Sequence, residues 1–425
     1  MKKYLLGFLI FYLFYAAVIS VYLLNLEPGY VPAEYAGTSA DPKQFMTEKE
    51  IEEAHQLDVI QYFSFFLQTP LDVVLVLFLM ILSVKLRNQA TERFRRSFWQ
   101  LGYYYFFFSI SLTLLYLPLD FFSYRLARNY GLSSQSVASW LGDLGIGFGL
   151  DLIMGIPLIW LLFFAVKKFP KKWWLAAWAA SLPLTILLMF IAPTFIAPLF
   201  NDYKPLENEK VKAEIQQLAD DTGISDAKIL EMNMSKQTNT INAFVTGFGS
   251  NMQIVIGDTA INELTVDEIK FVMTHEIAHY KMGHLYKGLA LQVIVGFFTA
   301  FATFCLFNWM RKKWGHRWKI QNQHDIAVLP LLMISYSIIS FLASPIDQWQ
   351  SRLYEVEADR YAIEMTADKE AAITAFQKLT KNRKSTGYEP SIIHFITGSH
   401  PRITERIDFL DKYNLSDSAE TDSSY

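Results

Sequence analysis

The sequence predicts a mainly α-helical, multi-pass membrane protein with about seven membrane-spanning helices and a small extramembrane region of helices and a short sheet. Three observations carry that prediction. Of 425 residues, 52% are hydrophobic and 16% aromatic, against 19% charged. The apolar residues gather in runs of about 20, the length that crosses a bilayer core as a helix. Two polar stretches lie between and after these runs, with the shorter periodicities of a soluble domain. The composition excludes a simple soluble globule and a disordered chain. A net charge of −3 offers nucleic acid no general attraction. The single cysteine, Cys305, sits inside an apolar run, so no disulfide framework or cysteine-based metal site forms within the chain.

The apolar runs fall at about 4–24, 64–84, 98–122, 146–166, 173–197, 288–309 and 326–345. Lys2 and Lys3 precede the first run, as in a signal peptide. The run is too long for a signal core and no small-residue cleavage site follows, so it reads as a retained helix. The second run has the least defined start, because Gln68-Thr69-Pro70-Leu71-Asp72 opens it. Five membrane helices therefore occupy 1–198, a polar segment 199–285, two more membrane helices 286–345 and a second polar segment 346–415. An acidic, Ser-rich tail at 416–425 reads as disordered. Two crossings separate the polar segments, which places them on the same side of the bilayer.

Within the first polar segment, Val211, Ile215 and Leu218 share one face of a helix over 207–221 that stops at Gly223. Gln253-Ile254-Val255-Ile256 reads as a strand. Leu264 to His284 reads as a helix, with Thr265 as N-cap and Asp267 and Glu268 in its first turn.

That helix contains Thr274-His275-Glu276-Ile277-Ala278-His279. Histidines at i and i+4 lie on one face, so both imidazoles reach one metal ion, and the intervening Glu276 is placed to act on a metal-activated water. The alternative is a helix surface bearing two solvated histidines. A catalytic zinc takes a third protein ligand and keeps one position open. Downstream, Glu355 and Asp359 share a face of a helix without breakers. Glu355 is the expected third ligand, and Asp359 the acceptor for the free ring N–H of a ligand histidine. Glu357 points elsewhere. The alternative is that both carboxylates pair with Arg352 on a wet face. His284, nine residues after His275, falls on the opposite side of the predicted helix and is not expected to bind the metal.

The Glu355 to Asp359 arrangement after the histidine motif resembles the gluzincin pattern of membrane zinc peptidases. More narrowly, the chain resembles the type I CAAX prenyl proteases, the family of the a-factor converting enzyme. The likeness is carried by Ile196-Ala197-Pro198-Leu199-Phe200-Asn201, Asn242-Ala243-Phe244-Val245-Thr246-Gly247, Ile254-Val255-Ile256-Gly257-Asp258-Thr259, Ser399-His400-Pro401 and Glu405-Arg406-Ile407. It covers nearly the whole chain. Smaller heat-shock-type membrane peptidases share the histidine and glutamate motifs, but the seven helices and the Pro-Leu-Phe-Asn segment favour the prenyl-protease branch.

The resemblance implies a gluzincin-like peptidase domain, one zinc ion per chain, and further roles. His400 would donate a hydrogen bond to the oxyanion of a tetrahedral intermediate; from the sequence alone it is equally a turn residue before Pro401. Arg406 would sit behind the zinc site and hold acidic groups; its other reading is a surface arginine. Asn242, Ala243 and Phe244 would belong to an edge strand that pairs with the substrate backbone. Phe244 stands where the family often has tyrosine. Asp72, Asp120 and Asp151 would lie near a water-filled chamber between the helices, or else at the bilayer interface. Trp173-Trp174 reads as an interfacial belt.

The expected activity is a zinc metalloendopeptidase acting on membrane-associated or hydrophobic peptides, prenylated or not. Its partners would be a peptide or membrane-protein substrate and the lipid bilayer, without nucleic acid. A metal-binding transporter leaves Glu276 without a task, and an inactive membrane scaffold or chaperone leaves all the presumed catalytic residues unexplained. Lys2, Lys3, Lys85, Arg87, Arg93, Arg95, Arg96, Lys167, Lys168, Lys171, Lys172, Arg311, Lys312, Lys313, Arg317 and Lys319 share one face. Lys43, Lys49, Arg125 and Arg128 are on the loops of the other. In a bacterial cell membrane the positive-inside rule places the zinc segments outside the cytoplasm. The resemblance to eukaryotic, endoplasmic-reticulum-type prenyl proteases implies the cytosolic side.

Overall fold

The computed structural model describes residues 2–247, 251–320 and 322–415; the tail expected at 416–425 lies outside the described residues. The first half is helical: α1 (Lys2–Leu24), the short α2 (Pro42–Phe45), α3 (Glu48–Arg93), α4 (Ser97–Asn129), α5 (Val137–Lys168) and α6 (Trp173–Ile191). A mixed segment follows, with β1 (Tyr203–Pro205), α7 (Glu209–Asp221), β2 (Lys228–Met232), β3 (Ala243–Thr246), β4 (Gln253–Gly257), α8 (Asp258–Glu263) and α9 (Val266–Lys281). The chain then re-enters the helical layer as α10 (His284–Trp314) and α11 (Leu329–Thr366). It ends with α12 (Lys369–Arg383), α13 (Ser391–Thr397) and α14 (Ile403–Lys412).

Among the described residues, seven helices are long and apolar enough to span a bilayer: α1, α3, α4, α5, α6, α10 and α11. This is the predicted number, in the predicted places. Two of them are much longer than the bilayer requires. The 46 residues of α3 and 38 of α11 extend about 69 and 57 Å at 1.5 Å per residue, against a hydrocarbon core of roughly 30 Å. Helix α3 starts at Glu48 on a capping box between Thr47 and Glu50 and passes through Pro70, where the sequence left its start open. Helix α11 likewise runs through Pro345 and crosses the expected boundary at 345/346 without a break. Neighbouring helices can compensate the backbone group that a proline frees in such a setting.

The four strands form one sheet in the order β1-β2-β4-β3. Strands β2 and β4 are parallel, and the other pairs antiparallel, with Ala243 opposite Ile256 and Phe244 opposite Val255. Only β4 was legible from periodicity; the other strands are short and half-exposed. Ile254 and Ile256 pack with Val211, Ile215 and Leu218 of α7 and with Ile269, Met273 and Ile277 of α9 in one core. Gly223 ends α7 in the left-handed conformation (φ 73°), as its position predicted. Trp173 departs from the expected interfacial belt. It is buried, with Phe304 and Phe307 of α10 at 5.7 and 5.9 Å.

The basic loops gather at one end of the helical layer. Arg87 donates to the carbonyl of Lys319 and pairs with Asp325, and Gln323 donates to the carbonyl of Pro170. The peptidase-like segments contact the other end, where Thr238 donates to the carbonyl of Leu132 and Gln377 to that of Ser39. Between the helices lies a cavity of about 790 Å³ whose lining includes Tyr105, Ser109, Tyr116, Asp120, Asp143 and Asp151. Asp151 accepts from Tyr105 and Ser109, and Asp72 from Tyr116. Asp120 and Asp151 thus face the interior, as ionisable groups inside membrane proteins usually do.

The extramembrane end of α3 is pinned to the loop before α13. Buried Asp58 accepts from the Thr386 backbone N–H at 3.1 Å and hydroxyl at 2.8 Å. Asp58→Ala strands both buried donors and is expected to cost about 1–3 kcal/mol. Removing Glu53, whose pair with Lys384 is partly exposed, is expected to cost less, because water screens an exposed pair. Thermal unfolding in detergent checks this; equal shifts for the two variants would contradict it.

Candidate metal centre

Helix α9 is set by a capping box in which Thr265 and Glu268 satisfy each other's backbone N–H groups. Its core face holds Ile269, Met273 and Ile277 against the sheet. That packing turns His275, Glu276 and His279 toward α11. The two histidine Nε2 atoms lie 3.2 Å apart. Glu355 arrives from α11, with Oε2 3.2 Å from His275 Nε2 and Oε1 3.4 Å from His279 Nε2. One donor atom from each of the three residues lies within 4.8 Å of the others, an arrangement that can hold a metal ion. Glu355 Oε2 is buried and accepts no hydrogen bond. A buried carboxylate oxygen without a hydrogen bond is costly; the Arg406 guanidinium 3.3 Å away offsets part of that cost, and a cation among these three donors would offset more.

Behind the cluster, His275 Nδ1 lies 2.9 Å from Asp359 Oδ1. Arg406, from α14, donates to both Asp359 oxygens at 2.7 and 2.6 Å. Both residues are buried, and the guanidinium lies over the Phe376 ring at 4.2 Å. Burial works to lower the His275 pKa, but the Asp359 and Glu355 carboxylates outweigh it and raise it to about 9. Burial pushes the Glu276 carboxyl above its ordinary value. Arg352, the alternative partner for Glu355 and Asp359, instead donates to the Gly398 carbonyl at 2.6 Å and braces the loop that carries His400. His400 Nε2 lies 3.4 Å from Glu355 Oε1, its Nδ1 meets the Ser399 hydroxyl at 2.8 Å, and about half of its side chain is exposed.

Strand β3 forms the sheet edge beside α9, with one side paired to β4 and no strand on the other among the described residues. Asn242 precedes it and accepts from the Gly257 N–H at 3.0 Å. Ala243 is buried and Phe244 half-buried. The structure thus brings His275, His279, Glu355, Asp359, His400 and Arg406 to one cluster, with Asn242, Ala243 and Phe244 at this edge, while Asp72, Asp120 and Asp151 lie among the membrane helices.

One expectation is corrected. Helix α9 ends at Lys281, and Gly283 adopts φ 65°, so His284 does not lie on the far side of a continuous helix. The turn folds it back until its Nδ1 is 3.0 Å from His279 Nδ1. Its Nε2 meets Glu357 Oε2 at 3.0 Å, and its ring stacks on Tyr354 at 4.2 Å. The glycine after the motif was the available signal, since left-handed glycine commonly ends a helix.

Removing Arg406 tests the backing layer. Arg406→Met takes the guanidinium from buried Asp359, leaving His275 to face it, and is expected to destabilise the chelator-treated protein by up to about 3–5 kcal/mol. Arg406→Met with Asp359→Asn recovers part of that loss. Unfolding temperatures of the two variants measure this, and a single variant that melts like the parent would contradict it.

The family model of peptidase family M48 matches residues 205–414. That of the CAAX prenyl protease N-terminal region, five membrane helices, matches residues 30–202. The chain is 35% identical to the uncharacterized metalloprotease YhfN of Bacillus subtilis over 97% of both chains. It is 28% identical to CAAX prenyl protease 1 of Saccharomyces cerevisiae, over 70% of this chain and 69% of that one. The crystal structure of S. mikatae Ste24p superposes with a TM-score of 0.77 over 95% of this chain and 97% of that one, at 22% identity, and shares its fold. The chain belongs to peptidase family M48, as an integral-membrane metallopeptidase of the kind that carries the CAAX prenyl protease N-terminal region.

Proposed function

We propose that the protein is a zinc metalloendopeptidase whose substrates are membrane-associated or hydrophobic peptides, with His275, His279 and Glu355 as metal ligands. The observation that carries this reading is the spacing of the three donors. Ligand atoms of a tetrahedral zinc with bonds of roughly 2.0–2.1 Å are about 3.3–3.4 Å apart. Here the two histidine nitrogens are 3.2 Å apart, each lies 3.2–3.4 Å from a different Glu355 oxygen, and one donor atom from each residue lies within 4.8 Å of the others; two nitrogens with one carboxylate are a donor set that suits zinc. Several relatives are named CAAX prenyl protease 1, which makes prenylated peptides one substrate class to test.

Zinc held there supplies Lewis acidity toward water and the scissile carbonyl. The remaining work falls to this chain's side chains. Glu276, its pKa raised by burial, takes the proton from the attacking water and delivers it to the leaving amine. His400, on the exposed side of Glu355, donates to the oxyanion of the tetrahedral intermediate. Asp359 and Arg406 fix the His275 ring. The free edge at Asn242, Ala243 and Phe244 holds the peptide backbone extended. No covalent intermediate with the protein is required.

The test is cleavage of a peptide panel, prenylated and unmodified, by purified protein with zinc. Glu276→Gln is expected to keep its zinc and lose about 10²–10⁴-fold in turnover. His275→Ala is expected to lose both metal and activity. If neither the parent nor Glu276→Gln cuts any peptide while both hold zinc, the peptidase reading fails.

We also propose that the site faces away from the cytoplasm, because the basic loops gather at the opposite end of the helices and positive loops stay inside. A reporter fused to the C-terminus is expected to be active only as an extracytoplasmic reporter. Cytoplasmic reporter activity there would overturn the assignment.

A further inference from the structure

We propose that His284 is a positioning residue of the metal site, which together with Glu357 fixes the proton and the orientation of the His279 ring. The inference rests on the zinc reading above. For His279 to offer its Nε2 lone pair to the cluster, its proton must sit on Nδ1. That atom is 3.0 Å from His284 Nδ1. Two ring nitrogens at this distance need one proton between them, so His284 Nδ1 accepts and its own proton lies on Nε2. Nε2 is 3.0 Å from Glu357 Oε2, which can only accept as a carboxylate. Each assignment forces the next, from Glu357 through His284 to the face of His279 that meets the metal. Lys287 Nζ, 3.6 Å from the same Glu357 oxygen, favours the carboxylate form.

The two ligand histidines are therefore backed differently. His275 donates directly to a buried carboxylate, Asp359, whereas His279 reaches its carboxylate through a second imidazole. His284 is not a fourth ligand, because it meets the edge of the His279 ring that carries Nδ1, while Nε2 faces His275. Nor is it only packing. Stacking on Tyr354 with planes 6° apart would suit any flat ring, but the Nδ1 contact needs a nitrogen acceptor. The relay also spans three helices: His279 lies in the last turn of α9, His284 starts α10 and Glu357 lies on α11. Two of these are membrane helices, so their relative placement bears on the orientation of a ligand ring.

The test uses the full-length protein in detergent and measures zinc affinity by chelator competition, alongside unfolding of the metal-free protein. His284→Phe keeps the stacked ring and removes the acceptor; zinc affinity is expected to fall about 10–100-fold with little change in metal-free unfolding. Glu357→Gln keeps an acceptor for the Nε2 proton and is expected to stay within about threefold of the parent, while Glu357→Leu loses more than that. Parent-like affinity in His284→Phe or Glu357→Leu overturns the inference. So does a loss in Glu357→Gln as large as in Glu357→Leu, since charge alone would then matter. If His284→Phe does not fold, the half-exposed Glu357 pair of variants decides. A parent protein that takes up no zinc defeats the metal-site reading and this inference together; unchanged variants beside a zinc-binding parent defeat only this one.

Discussion

A carboxylate buried between two imidazoles is the constraint from which the rest of the site follows. Glu355 is 5% exposed and one of its oxygens accepts no hydrogen bond, an arrangement that a low-dielectric interior penalises strongly. Its neighbours offset that penalty. Both histidines face it, and Arg406 Nη2 stands 3.3 Å from the orphan oxygen. Arg406 can stand there because α14 is docked in the core that also holds Phe271, Ile363 and Phe376. A C-terminal helix outside the three-residue cluster is thus part of what makes the buried Glu355 tolerable.

The second consequence concerns rigidity. Both helices that carry the cluster of His275, His279 and Glu355 continue into membrane spans. Helix α11 carries Glu355 and Asp359 on the continuation of a membrane span, and α9 passes through Met282 and Gly283 into α10. The site is therefore suspended from the sixth and seventh membrane helices rather than built in a domain tethered by a linker. This explains how two polar segments, separated in the chain by two membrane crossings, form one cluster without a loop reaching between them.

The membrane half has its own polar arrangement. Asp72 and Asp151 accept from tyrosine and serine hydroxyls inside the helical layer. The cavity beside Asp151 lies on the peptidase side of the fold as well, since Gln237, just ahead of β3, donates to Asp143 at 3.0 Å. Hydropathy alone left these carboxylates either inside or at the interface. What decides is the neighbouring helix, which presents hydroxyls to them instead of lipid.

The number and order of the membrane helices are written in the chain's local composition, because a bilayer demands long uninterrupted apolar runs. The sequence by itself also determined that His275 and His279 of α9 meet, because residues four apart on a helix are neighbours whatever surrounds them. Spacing within one helix likewise made Glu355 and Asp359 legible as partners. Contacts that depend on how separate helices meet were not legible: Arg352 bracing the His400 loop, Arg406 gripping Asp359, Trp173 buried by α10. His284 shows the reason most clearly. Helical periodicity sends it to the far side, but one left-handed glycine and the packing of α9 against α10 and α11 turn it back onto His279. Local spacing is encoded in short stretches of chain, whereas the direction of a chain after a break is settled only when the other helices close around it.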